Sequence, residues 1–287
     1  MAEADRFVSA VADDLSFRVV TARTTDMVRG AVEAQGATGE TARRFGELLT
    51  GAVLLRVTMA PKLRVQGILH GAGHTGQLVA DSHPDGWCRG LVKLREGARD
   101  VRVGEGSVLQ MMRSLPNGDL HQGMVEVPAE GGGGVAAALM AYMQHSEQVV
   151  STLDVGCVMQ GDRVVSAGGY MVQLLPEVPE GSLMVMTERL DHDFRELGPL
   201  LESTDAAPDQ LLEELLWGIP HATVESAHLR FDCNCSRVRV MTSLATLSRD
   251  EIEEMVHEGE PLHITCDYCG SRYTVEVEHL KGLLQTS

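Results

Sequence analysis

Aromatic side chains are scarce in this chain, at 4% of residues, while Met occurs 14 times. That balance argues against a shaped stacking pocket and toward adaptable apolar surface, because the Met side chain is flexible and polarisable. Basic residues are also short: 24 Lys and Arg face 41 Asp and Glu, for a net charge of −17. Phosphate-backbone binding depends on Lys and Arg, so no nucleic-acid partner is expected. No apolar run is long enough to span a bilayer, so no membrane association is expected. The opening Met1-Ala2-Glu3-Ala4-Asp5-Arg6 places acids where a signal peptide needs bases and an apolar run. No Walker phosphate loop occurs, so ATP-driven work is not indicated. Together these absences predict a cytoplasmic protein.

Cysteine is sparse too, and its placement is informative. Of six cysteines, four form two close pairs, Cys233-Asn234-Cys235 and Cys266-Asp267-Tyr268-Cys269. In a reducing compartment, clustered Cys signals metal or redox chemistry rather than a disulfide framework. Two such pairs fill the tetrahedral thiolate shell that Zn2+ prefers, which predicts one zinc per chain on Cys233, Cys235, Cys266 and Cys269. The Cys-x-Cys pair is expected on one face of an extended strand, since strand side chains alternate. Gly270 is expected to turn the backbone so that amides point at sulfur. A zinc ribbon that only holds the tail together satisfies the same pattern. Two features point beyond it: the Cys-x-Cys sulfurs are close enough to oxidise to each other, and Arg230, Arg237, Arg239 and Arg272 lie nearby in sequence. Such cations would favour thiolate.

The pattern along the chain predicts an α+β protein. It comprises an antiparallel-sheet N-terminal domain with packed helices (1–180), a helical linker (181–225) and a small zinc-binding C-terminal domain (226–287). Residues 5–40 give weak signals. Phe45, Leu48, Leu49, Ala52 and Val53 mark one apolar stripe of a helix over 40–57, stopped by Pro61. Alternation at Leu63, Val65 and Leu69, and short runs over 89–95, 107–112 and 120–127, predict strands with turns such as Asn117-Gly118. Four glycines at 131–134 form a loop, followed by a helix over 135–150. Residues 155–175 read as a hairpin turning at Gly161-Asp162. In the linker, Glu188 to Leu201 carries Leu190, Phe194, Leu197 and Leu201 and predicts one helix that Gly198-Pro199 kinks or ends. Pro208 and Gly218 bracket another helix carrying Leu211, Leu212, Leu215 and Leu216. Both are too short to stand alone and must lie on something else. In the tail, Val238 and Val240 alternate with Arg237 and Arg239, predicting a strand. Ser248-x-x-Glu251 predicts a capped helix closed by Gly259. A hairpin over 262–277 carries Cys266 and Cys269 in its turn. So small a unit needs a metal staple.

Three other motifs carry less. Gly71-Ala72-Gly73-His74-Thr75-Gly76 matches the dinucleotide fingerprint, but no amphipathic helix follows it, so it reads as a glycine-rich turn. Asp191-His192-Asp193 splays around a helix and reads as a solvated face. Cys88 and Cys157 have no local partner and read as inert small apolar residues.

The sequence resembles the heat-shock protein 33 family of redox-regulated chaperones. The resemblance rests on Cys233-Asn234-Cys235-Ser236-Arg237 and on Cys266-Asp267-Tyr268-Cys269-Gly270 followed by Tyr273. It extends to Ser146-Glu147-Gln148 and to Ala167-Gly168-Gly169-Tyr170 running on to Gln173-Leu174-Leu175-Pro176. Val238 departs from the family, which usually has an acid there, and 70–90 matches loosely. The resemblance implies a holdase rather than an enzyme, working without ATP on unfolded or aggregation-prone clients. It implies that zinc keeps the reduced form inactive. Oxidation is then expected to pair Cys233 with Cys235 and Cys266 with Cys269, release the metal, unfold tail and linker and yield a homodimer. The surface uncovered is expected to include Met184, Met186, Phe194 and Leu197. Two other readings of the residues remain: a constitutive zinc-ribbon adaptor without redox switching, and a thiol–disulfide oxidoreductase using Cys266 and Cys269. The latter needs its Cys pair at a helix N-terminus.

Overall fold

The computed structural model describes residues 4–59, 62–129, 134–176, 178–203 and 207–286. Pro61 and Gly131 to Gly133, given roles above, lie outside these residues. The chain divides into two compact units, Met1–Phe231 and Asp232–Ser287.

The first unit begins with the strands β1 (Arg6–Ala12) and β2 (Phe17–Arg23), then the helices α1 (Thr25–Gln35) and α2 (Gly39–Met59). Strands β3 (Val65–His70), β4 (Gly76–Ser82), β5 (Trp87–Leu94), β6 (Val108–Ser114) and β7 (Leu120–Glu126) follow. Next come α3 (Val135–Tyr142), which runs into a π-helical turn (Met143–Glu147), and the hairpin β8 (Ser151–Gln160) and β9 (Arg163–Leu174). The helices α4 (Glu180–His192), α5 (Leu197–Ser203) and α6 (Pro208–Leu215) precede β10 (His221–His228) and β11 (Arg230–Phe231). Two sheets result, ordered β10-β1-β2-β9-β8 and β11-β5-β4-β3-β6-β7. Every strand pair is antiparallel except β11 on β5.

Helix α2 packs against strands of both sheets. The single apolar stripe expected from sequence therefore understates it: buried residues surround the helix, including Thr50, Thr58 and Arg56. A helix buried on all sides needs its polar atoms satisfied locally. Thr50 and Thr58 donate to Gly46 O (3.1 Å) and Leu54 O (2.9 Å), and Arg56 Nε donates to Ser82 Oγ (2.9 Å). The weak signals of residues 5–23 have the same origin. Phe7 faces the core shared with α2, whereas Val8 and Ala10 face the opposite side, which is also covered. A strand buried on both faces loses the alternation by which strands are recognised.

The cover on that second face is the expected linker. Met186, Phe194, Leu197, Leu201, Leu212 and Leu215 pack with Phe17, Val19, Tyr170 and Val172 of the five-stranded sheet. The one helix expected over 188–201 is two. Helix α4 starts eight residues earlier, at Glu180, and ends at His192. The chain turns at 193–196 to seat Phe194 edge-on to Tyr170, with ring centroids 5.3 Å apart. Gly198 and Pro199 then fall in the first turn of α5, where Pro costs nothing because that N–H has no helical partner. Neither α4, entered from Pro179, nor α6, entered from Ala207, has a side-chain N-cap. Such a cap is worth about 1 kcal/mol, so these short helices depend on the sheet beneath.

The chain leaves the linker along β10, which pairs with β1, and β11, which pairs with β5, and the first unit runs to Phe231. Gly86 makes the β11 contact possible. It has φ +79°, and a Cβ there would lie 2.2 Å from the His228 carbonyl oxygen.

The second unit holds α7 (Arg237–Leu244), α8 (Arg249–Glu258), the hairpin β12 (Leu262–Thr265) and β13 (Arg272–Val275), and α9 (Val277–Thr286). The strand expected at 237–240 is helix α7. Ser236 Oγ accepts the Arg239 N–H (3.3 Å) and starts the helix. The apolar period is helical, with Val240, Met241 and Leu244 joining one cluster while Val238 is 74% exposed. The expected capping box is formed by Ser248 and Glu251, and Gly259 closes α8 at φ +72°. Among the described residues the buried apolar cluster of this unit is Leu244, Ile252, Val275 and Leu280.

Truncating Leu215, fully buried between α6 and the sheet, is expected to cost about 2–5 kcal/mol. For Leu215→Ala, limited proteolysis should show faster cleavage within 180–216 while the two sheets stay resistant.

Candidate metal centre

Cys233 and Cys235 lie in an irregular stretch, 232–236, between β11 and α7 rather than in a strand as expected. Cys266 and Cys269 lie in the turn joining β12 to β13, as expected. The turn is closed on itself: Gly270 N donates to Cys266 O (2.8 Å) and Cys266 N to Ser271 O (2.8 Å). Gly270 is left-handed at φ +70°, which a Cβ would disfavour. Its own amide thus meets a carbonyl. The amides that reach sulfur are those of Cys269 and Tyr268, toward Cys266, and of Ser271, toward Cys269.

All four Sγ atoms lie within 4.8 Å of one another. Cys233 Sγ is 3.8 Å from Cys266 Sγ, and Cys235 Sγ is 3.4 Å from Cys269 Sγ. Four sulfurs around one tetrahedral Zn2+ would be about 3.8 Å apart, given Zn–S bonds of about 2.3 Å. The donor set and its spacing are therefore those of a metal site, and the group is the only cluster of possible metal-ligating side chains found among the described residues. Asp191, His192 and Asp193 are exposed and do not converge.

The thiols differ in their surroundings. Burial is the largest influence on Cys235 and pushes it up to about 12, with Tyr273 opposing and the neighbouring thiols adding to the rise. Burial also raises Cys266. At Cys269 burial is outweighed by hydrogen bonds from the Ser271 hydroxyl and amide and from Cys235, which bring it down to about 7. Tyr273 Oη donates to Cys235 Sγ at 3.0 Å, and that bond raises the tyrosine to about 12. The arginines expected to favour thiolate are not the leading influence. Arg237 is exposed, with Nη2 3.3 Å from His279 Nε2, and Arg230 donates to Asp85 O. The two hydroxyls, Tyr273 and Ser271, take that role. Their signal lay in the run Cys269-Gly270-Ser271-Arg272-Tyr273, where donors follow a metal-knuckle turn closely. Cys88 and Cys157 are buried, and burial pushes each thiol up to about 12, consistent with inert packing residues.

Residues 5–276 match the family model described as Hsp33 protein. The chain belongs to the Hsp33 family. It is 31% identical to the 33 kDa chaperonin of Syntrophotalea carbinolica, over 98% of this chain and 99% of that one. It is 28% identical to the 33 kDa chaperonin of Bacillus subtilis, over 97% and 98% of the two chains. The fold is that of the 33 kDa chaperonin crystal structure from Thermotoga maritima, with a TM-score of 0.83, 24% identity and 99% of each chain covered. The protein is thus a chaperone of the Hsp33 family, not an enzyme, with an α+β fold and a four-cysteine cluster of metal-site form. The family implies client proteins. No helix of the described residues is long and apolar enough to cross a membrane. The fingerprint-like stretch 71–76 is a tight turn from β3 into β4, containing one short 3-10 turn and no following helix, as the sequence suggested.

Hydrogen-bond donors to a ligating sulfur typically change metal affinity by about 10–100-fold when removed. Tyr273→Phe is expected to weaken metal binding by that range while the parent holds one divalent ion per chain. Competition against a chromophoric chelator measures both.

Proposed function

We propose that this protein is a redox-gated holdase whose four thiolates hold one Zn2+ in the reduced state. The observation that carries the reading is the convergence of Cys233, Cys235, Cys266 and Cys269 from two distant chain segments to within 4.8 Å. Zinc suits four soft sulfur donors in a tetrahedron, and its role is to link the two segments. Structural zinc supplies about 10–16 kcal/mol of apparent binding energy in small domains.

On oxidation, Cys233 pairs with Cys235 and Cys266 with Cys269. Each pair gives two electrons to one hydrogen peroxide, and with two protons from solvent that peroxide leaves as two waters. Sulfurs bonded to each other no longer carry the charge that holds a cation. Each disulfide closes a loop of three or four residues and stabilises by only about 2 kcal/mol. Neither ties the 233–235 segment to the 266–269 turn. A large stabiliser is exchanged for two small ones, and a unit with so small an apolar core melts.

The chain from Cys233 runs back through β11 and β10 to α6, α5 and α4. Strand β10 is an edge strand with mostly exposed side chains. Loss of the tail loosens this edge and then the uncapped helices 181–216. That uncovers Met186, Phe194 and Leu197, all buried in the closed form, together with Phe17, Val19 and Val172 beneath them. Met184 is 66% exposed before any change, and Trp217 75%, so the client surface grows from an edge already open. Such a patch binds unfolded clients without sequence specificity. The open form assembles as a homodimer, and the protein works in the reducing cytoplasm.

The test compares zinc content, sedimentation and suppression of a denatured client's light scattering before and after peroxide with mild warming. Zinc loss, dimerisation and suppression are expected together, only after oxidation. Cys233→Ser is expected to behave identically with and without oxidant. A Cys233→Ser protein that switches as the parent does would sink the redox reading, and a parent with no oxidant-dependent suppression would favour a constitutive adaptor.

A further inference from the structure

We propose that the β3–β4 turn and the β5–β6 connection form a binding site for a linear inorganic phosphate chain, at a place separate from the cysteines. The site is built by backbone hydrogen bonds between the two loops. Ala72 N donates to Arg102 O (2.8 Å), and Arg95 N donates to Thr75 O (3.0 Å). Arg102 N donates to Thr75 Oγ1 (3.0 Å), and buried Val101 anchors the longer loop. The loops are therefore fixed before any ligand arrives.

They enclose two open, adjoining depressions of about 430 and 400 Å3. His70, Lys93 and Arg95 line the first, and Arg95, Arg99 and Arg102 line the second, with His74 shared by both. Arg102 Nη2 sits over Gly73, 2.8 Å from where a Cβ would be. Gly73 and His74 are both left-handed, at φ +64° and +56°, and Thr75 returns to the right-handed region. Turns that switch hand in this way form backbone concavities for anions.

Charge is the deciding observation. In a chain of net charge −17, many arginines elsewhere in this unit lie against carboxylates: Arg29 on Asp26, Arg43 and Arg44 on Glu40 and Glu47, Arg64 and Arg89 on Asp81, Arg113 on Glu147. Among the described residues Lys93, Arg95, Arg99 and Arg102 have no ion-pair partner, although Glu96 and Asp100 are close in sequence. Asp100 lines the second depression, and its Oδ1 accepts a hydrogen bond from Thr41 (3.4 Å). Distant acids do not neutralise the patch, because the screening length is about 8 Å at physiological ionic strength. Four adjoining cations outnumber the one carboxylate lining the site, Asp100, and none is held in an ion pair among the described residues, which favours an anion; planar guanidinium groups match phosphate oxygens in paired hydrogen bonds.

The chemistry narrows the ligand further. No aromatic ring lines either depression apart from the two imidazoles, and no helix follows the turn, so nothing there would hold a nucleobase or present a helix dipole. Two lobes with a shared centre suit an anion charged along its length rather than one phosphate.

The test is isothermal titration of the full-length, reduced, metal-loaded protein with sodium tripolyphosphate in low-salt, magnesium-free buffer. Saturable binding is expected, at least about tenfold tighter than for orthophosphate and weakening as salt rises. Arg95→Ala and Arg99→Ala, both at exposed positions, should each weaken it about tenfold or more. Arg249→Ala, in the second unit, should leave it unchanged. The proposal is overturned by absence of saturable binding, by unchanged affinity in Arg95→Ala, or by loss of bound metal in step with the titration signal. Tighter binding of ATP would mean base recognition, and equal binding of hexaglutamate would mean an acidic-peptide surface; either result overturns it.

Discussion

Four sulfur atoms drawn to one point are the constraint on which the second unit depends. Among the described residues its buried apolar side chains are Leu244, Ile252, Val275 and Leu280, too few to hold three helices and a hairpin against the entropy of the chain. The capping box at Ser248 and the hairpin ladder from Leu262 to Val275 organise local pieces. Neither joins the 233–235 segment to the 266–269 turn. The thiols meet directly across them, joined by the Tyr273–Cys235 hydrogen bond, and an ion that takes all four would make the join cooperative. The surroundings favour this, with Tyr273 Oη donating to Cys235 Sγ and the Ser271 amide and hydroxyl holding the Cys269 thiol low.

The first unit shows the opposite economy. Its two sheets share one buried helix, and the face of the five-stranded sheet turned away from that helix is as apolar as the core. Short helices without N-caps cover it. Each buried Leu, Met or Phe of that cover contributes about 1.5–3 kcal/mol relative to exposure. The contribution vanishes together if the helices lift, because none is stable alone. On the proposed function, a chaperone of this kind keeps apolar surface hidden until it is needed. Cover that is held by packing and lacks its own caps meets that need.

The cysteine centre was legible in the sequence because its chemistry is local: two close pairs and a glycine after the second; the hydroxyl donors Ser271 and Tyr273 were not, because arginines nearby in sequence drew the expectation. The hairpin at 262–275, the capped helix at 249–258 and the strands β3, β5, β6 and β7 were legible for the same reason, while β4 was not. What escaped was set by tertiary context. Alternating Val and Arg at 237–240 implied a strand, but the Ser236 cap and the spacing of Val240 and Leu244 favour helix. Residues 6–12 hid a strand because both faces are covered. Phe194 broke a helix that periodicity had continued, since its ring has a better place against Tyr170.

Helix α2 has no free side. A bulkier side chain at Gly46 or Gly51 would press on Cys157 and Val28 or on Leu139, with no solvent direction in which to yield. Neither sheet has an inner surface to fold upon without this segment, so the body cannot be divided into autonomous halves. That spindle is the rigid frame on which both sheets rest, and any change confined to the outer helices would leave it in place.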